Sequence, residues 1–125
     1  MEVIKLYTQP KHDRKPFYDG GKGAPYKFKC PVCKAKNIIP FESLLHATWN
    51  WKEDFSKEEL LNIQNLFGFG PTGNSHEGGW TCINFVSCKG CSEQLISYVG
   101  FNEYYNSLYR LTEQGLAHIR TDNLT

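Results

Sequence analysis

No apolar run in this chain approaches the roughly 20 residues that a membrane-spanning helix needs. Mean hydropathy is negative, so a helical membrane protein is excluded at the outset. A secretory leader is not expected either, because Glu2 and Lys5 stand where its apolar stretch would lie; the expected location is cytoplasmic. Strong charge of one sign is absent too, the formal net being +1. Cysteine is scarce and odd in number, five in 125 residues. An odd count with CxxC spacing suits a reducing compartment, where thiols persist and bind metal rather than form a disulfide framework. Low-complexity tracts and internal repeats are also lacking.

What is present is concentrated in two short segments, Cys30-Pro31-Val32-Cys33 and Cys88-Lys89-Gly90-Cys91. Two residues between cysteines let a tight turn aim both sulfurs at one ion, and two such turns complete a tetrahedral shell without histidine or carboxylate. The spacing therefore predicts Zn²⁺ held by Cys30, Cys33, Cys88 and Cys91. Iron in the same all-thiolate geometry, or a pair of disulfides, are the alternatives. A shell closed by four thiolates leaves no position for water or substrate, so the metal reads as structural.

The length fits a single domain. Eight Phe, seven Tyr and three Trp give it ample aromatic area to bury. Residues 1–25, rich in Lys, Gly and Pro, read as a basic arm or loop after a short strand at 3–7. Tyr26-Lys27-Phe28-Lys29-Cys30 alternates aromatic and basic residues like a half-buried strand, and residues 37–41 continue as its return strand. Residues 41–79 read as an insertion between the metal turns. At its start the pattern is ambiguous, since Leu44 and Leu45 suggest a helical turn whereas Trp49 and Trp51 have strand spacing. Further on, Ser56 and Glu59 have the spacing of a capping box, Leu60, Ile63 and Phe67 keep helical spacing, and Gly68 is a suitable stop; this predicts a helix over 57–67. Strands are expected at 80–86 and 94–101, then a short helix or turn over 102–110 and an extended C-terminal segment. The expected fold class is α+β, a small antiparallel sheet with a four-cysteine site and one or two short helices.

Thiolate-bearing turns flanked by strands, over residues 26–40 and 80–101, resemble the zinc-ribbon superfamily. The resemblance implies that Cys30, Cys33, Cys88 and Cys91 are the ligands. It also marks the 54 residues between the turns as a large insertion. A rubredoxin-like iron site is the nearest competitor. Both families often place Gly just after the second cysteine of a turn, and here Lys34 and Ser92 stand there. Zinc ribbons serve in transcription, replication and translation and as protein-docking elements, and fold alone does not choose among these.

Other candidates have plainer readings. Cys82 reads as a buried structural thiol, and His46 or His76 would have to approach it to make a nucleophile pair. His76-Glu77 reads as an exposed loop pair rather than an acid/base dyad. Gly68, Gly70 and Gly73 satisfy GxGxxG but follow a helix instead of opening one, which removes the phosphate-binding mechanism. Trp49 and Trp51, on one face if extended, are candidate partner-binding residues if exposed and core residues if buried.

Charge decides the functional expectation. Residues 1–36 hold nine Lys and Arg against three acids, a local excess of +6, and the remainder is acidic by −5. Lys11, Arg14, Lys15, Lys22, Lys27 and Lys29 are interleaved with Phe17, Tyr18, Tyr26 and Phe28, supplying phosphate neutralisation and stacking surfaces. The expected role is a noncatalytic zinc-stabilised domain that binds nucleic acid or acts within a nucleic-acid-processing complex. A protein-binding inhibitor or adaptor is the alternative, and a small enzyme comes third.

Overall fold

The computed structural model describes residues 1–11, 16, 18–19, 25–69, 74–105 and 108–120, with only the backbone at 18, 19, 104, 105 and 108. Its main element is an antiparallel sheet with strand order β1-β7-β6-β5, built from β1 (Glu2–Thr8), β5 (Trp80–Ser87), β6 (Gln94–Tyr105) and β7 (Leu108–Arg120). A two-residue strand β2 (Tyr18–Asp19) pairs with β7 through Leu111 and Arg110, on the edge that β1 occupies further along at 116–120. A separate hairpin joins β3 (Tyr26–Lys29) to β4 (Lys36–Ile39).

β6 is the spine. Residues 95–101 are all buried, as expected of a central strand covered on both faces. Its partner β5 runs in unbroken register from Trp80 opposite Phe101 to Ser87 opposite Gln94. Pairing with β7 slips between Tyr98 and Val99, where Gly115 and Glu113 are the successive partners. Gln114 is therefore the extra residue of a bulge, and a bulge re-aims its side chain. That side chain is fully buried: its Nε2 donates to Glu77 at 3.2 Å, and its Oε1 accepts from the Lys11 amide at 2.9 Å.

Residues 102–110, expected to form a helix or turn, instead continue β6 to Tyr105 and begin β7 at Leu108. Tyr109 shows why. Its ring packs 4.9 Å from Phe101 and 5.7 Å from Phe41, contacts that a cross-strand ladder provides and the local sequence does not announce.

The segment between the metal turns carries α1 (Phe41–Asn50), a 3₁₀ turn (Trp51–Asp54) and α2 (Lys57–Phe67). Leu44, Ala47, Thr48 and Trp51 are buried, a run of i, i+3, i+4 and i+7 that forms one helical face. It resolves the ambiguous stretch as helix, packed on β5. α2 has the expected punctuation. The Ser56 hydroxyl accepts from the Glu59 amide at 3.1 Å, Glu59 accepts from the Ser56 amide at 2.9 Å, and Gly68 caps the C-terminus in the left-handed region at φ 72°.

α2 seats Phe67 on the sheet through Gly115, where a Cβ would lie 2.4 Å from the Phe67 ring. Gly115→Ala must displace that ring from a buried position, so it should lower unfolding free energy by about 1–3 kcal/mol. Denaturant unfolding of the two proteins measures this, and an unchanged midpoint would show that Phe67 does not pack there.

Candidate metal centre

Both CxxC segments fold by one backbone rule. The Lys34 amide returns to the Cys30 carbonyl and the Ser92 amide to the Cys88 carbonyl, at 2.8 and 2.9 Å, while the Cys30 and Cys88 amides donate to Ala35 and Glu93. Closing each loop puts Lys34 at φ 70° and Ser92 at φ 61°, a left-handed conformation that costs a side-chain-bearing residue about 1–2 kcal/mol. The two turns thus share one geometry, each closed by a non-glycine residue that is strained by it.

The turns meet at their sulfurs. Cys30 Sγ lies 3.9 Å from Cys91 Sγ and Cys33 Sγ 3.5 Å from Cys88 Sγ, with all four sulfurs within 4.8 Å of one another. A tetrahedron with Zn–S bonds near 2.3 Å has edges of about 3.8 Å, and the two contacts bracket that value. Neither contact approaches the about 2.05 Å of an S–S bond, and all five cysteines are free. The residues present fit a tetrahedral thiolate-bound ion.

Donors around the sulfurs suit negative charge. Val32 and Gly90 amides point at Cys30 and Cys88 Sγ at 3.4 and 3.3 Å. Asn37, opposite Phe28 in the hairpin and 2% exposed, reaches across. Its Nδ2 donates to Cys88 Sγ at 3.4 Å and its Oδ1 accepts from the Lys89 amide at 3.1 Å. Burial pushes the Cys88 thiol up, but hydrogen bonds from Asn37 and the Cys91 and Gly90 amides outweigh it and bring the thiol down to about 6. Gly90 is required for the approach, since a Cβ there would sit 2.7 Å from Ala35 Cβ and 2.9 Å from Cys33 Sγ. Sequence reasoning does not find Asn37. The available signal is a strand-disfavoured residue four positions after Cys33.

The other candidates divide. Cys82 is buried, donates to the Leu44 carbonyl at 3.2 Å, and is pushed up to about 12 by burial. His46 instead faces Asp54 at 3.8 Å, so no Cys/His pair forms between them. His76 and Glu77 diverge rather than forming a dyad. His76 Nδ1 lies 3.0 Å from the Tyr98 hydroxyl, whereas Glu77 accepts from Ser75, the Gly79 amide and Gln114. These bonds close a network that ties the 74–79 loop to β6 and β7.

Of the expected nucleic-acid-binding residues, Lys11, Lys27 and Lys29 are exposed, and Arg14, Lys15 and Lys22 lie outside the described residues. Phe17 does too, and of Tyr18 only the backbone is described. Tyr26 is buried and Phe28 half-buried, stacked at 5.1 Å. The strand's alternation turns its lysines out and buries Tyr26, which therefore does not supply the stacking surface expected of it. Trp51 is a core residue, 5% exposed, with its ring 5.5 Å from Phe69. Trp49, one helical step away from that face, is 60% exposed beside Trp80.

Comparison with protein-family models, curated proteins and solved structures finds no match. What the structure shows is the clustering of the four cysteines.

Serine at any of Cys30, Cys33, Cys88 or Cys91 should lower metal occupancy and thermal stability together, because metal binding is linked to folding. Asn37→Leu should weaken metal affinity about 10- to 100-fold, the usual cost of removing a partner of a ligand, as read by competition with a chromophoric chelator. Metal-free protein that melts at the temperature of the loaded protein would defeat both.

Cys82→Ala should leave metal stoichiometry intact and cost about 1 kcal/mol of packing. In the folded protein at pH 8, alkylation should spare Cys82, whose thiolate burial suppresses. Loss of a metal equivalent on substitution would place Cys82 among the ligands.

Proposed function

We propose that this is a noncatalytic, zinc-stabilised module that binds the phosphate backbone of a nucleic acid through the outer face of its β3–β4 hairpin. Zinc is favoured over iron by Lys34 and Ser92, which stand where an iron-binding ribbon commonly has Gly. A four-thiolate shell offers a substrate no open coordination position.

One observation carries the phosphate reading. Lys27, Lys29, Lys36 and Ile38 are all exposed on one face of the hairpin, and Lys29 stands directly opposite Lys36 in the register. Like charges in that position are destabilising, and among the described residues no carboxylate forms an ion pair with either. These side chains line a groove of about 420 Å³ with Phe28 and Asn37. A phosphodiester chain would relieve the repulsion, and contact with it would release counterions.

The triple change of Lys27, Lys29 and Lys36 to Gln should weaken binding without regard to sequence and flatten the dependence of log K on log salt by about 2, since each phosphate no longer neutralised removes roughly 0.7–0.9 from the slope. Folding should be nearly unchanged, because the three side chains are exposed. Titrations of zinc-loaded protein against single- and double-stranded DNA and RNA at two salt concentrations provide the measurement. Absence of binding by the unaltered protein at low salt would transfer the face, with its exposed Ile38 and Val32, to a protein partner.

A further inference from the structure

Trp49, at the end of α1, and Trp80, at the start of β5, come from elements whose tryptophans are 31 positions apart in sequence, yet their ring centroids are 4.8 Å apart at 53°. Both remain substantially exposed, at 60% and 38%. Beside them is a cleft of about 370 Å³, whose lining includes Asn50, Lys52, Glu53 and Asn74. We propose that this cleft takes an unstacked base of a single-stranded nucleic acid, the phosphates of the same strand lying on the lysines of the hairpin; the inference rests on the nucleic-acid reading of that hairpin.

The chemistry of the lining supports a heterocycle. Indole faces stack on any base, which makes such a platform tolerant of sequence. An aliphatic or aromatic protein side chain would use only the indoles, whereas a base edge carries donors and acceptors that also address Asn50, Asn74 and Glu53. Asn50 Nδ2 is engaged by the His46 carbonyl at 3.3 Å, which leaves its Oδ1 to accept. Asn74 presents a second amide. Glu53 is repulsive to phosphate but accepts from an exocyclic amino group, as carboxylates do from cytosine N4. The Lys52 ammonium lies 5.8 Å from the buried Trp51 ring and supplies the cation for an adjacent phosphate.

The placement of the cleft also fits. Along β5, seven residue steps separate Trp80 from Ser87, the neighbour of Cys88, and at about 3.4 Å per residue the distance is roughly 24 Å. A single strand within the usual range of roughly 4–16 nucleotides per small domain covers a distance of that order. Duplex DNA keeps its bases stacked and offers no free face to the tryptophans, so the site selects single strands.

The test uses the zinc-loaded full chain with a 12-nucleotide single-stranded DNA, the duplex of the same sequence, and maltohexaose as a neutral ring-bearing probe. The single strand should bind more tightly than the duplex and quench tryptophan fluorescence. Trp49→Ala and Trp80→Ala should each weaken single-strand binding by about 5- to 150-fold, leave duplex binding and the salt slope unchanged, and retain zinc and the circular dichroism of the parent. Trp49→Phe should recover part of the loss, since a smaller aromatic face still stacks. If the lysine-dependent salt slope is present but the tryptophan variants bind the single strand as the parent does, the inference fails and the hairpin reading stands. If the parent binds neither nucleic acid, both fail. Quenching by maltohexaose without quenching by the oligonucleotide would assign the cleft to a sugar instead.

Discussion

The structure depends on four sulfurs drawn to one point. A two-stranded hairpin with four-residue strands is at best marginal in water by itself, and β3–β4 is such a hairpin. Its base is anchored by Tyr26 and Ile39, which belong to the main core. Its tip reaches the five-stranded sheet through Cys30 and Cys33 facing Cys88 and Cys91, and through Asn37 gripping both Cys88 Sγ and the Lys89 amide. Buried Leu95 and Leu116 pack around Cys30 and Cys88, so the centre is the nucleus of a small second core. An ion held there would tie the two parts together; without one, four thiols would crowd together with amide donors aimed at absent charge.

A second set of polar contacts does for the opposite end of β5 what the sulfurs do for the metal end. The bulge at Gln114 turns an amide inward to Glu77, whose carboxylate also accepts from Ser75 and the Gly79 amide. Gly79 and Gly100 make this fit possible, because a Cβ at either would collide with the Glu77 side chain. With Tyr98 bonded to His76 and Ser75, the loop is fixed on the sheet. Its Asn74 pairs with Trp80. The network therefore sets where one wall of the tryptophan cleft stands.

Local signals and their limits explain what can be read from the residues. The metal turns and α2 are legible because each is specified within a few residues: CxxC spacing, the Ser56/Glu59 box and Gly68 carry their own geometry. β5 and the first part of β6 are legible from short apolar runs beside a metal turn. α1 is ambiguous because Trp49 and Trp51 mimic strand alternation, and only burial of Leu44, Ala47, Thr48 and Trp51 on one face decides for helix. The β6–β7 hairpin is hidden because Tyr109 and Phe101 owe their strand conformation to a cross-strand contact and to Phe41 across the core. Asn37 and Gln114 are invisible for a related reason: one is a lone amide in a strand, the other a bulge residue, and both act only through partners more than 30 residues away.

The same distinction bears on why the charged hairpin exists. Tyr26-Lys27-Phe28-Lys29 satisfies the demand for a half-buried strand, and any polar residue would serve at its outer positions. Lysine at 29 opposite lysine at 36 works against pairing, by a fraction of a kcal/mol up to about 1 kcal/mol on the scale of cross-strand pairs. Folding stability does not explain that choice. A structural zinc site can supply on the order of 10 kcal/mol to a small domain, far more than the repulsion removes. A metal ion closing the four cysteines would therefore let the hairpin keep a cationic face that its own strands, left to themselves, would disfavour.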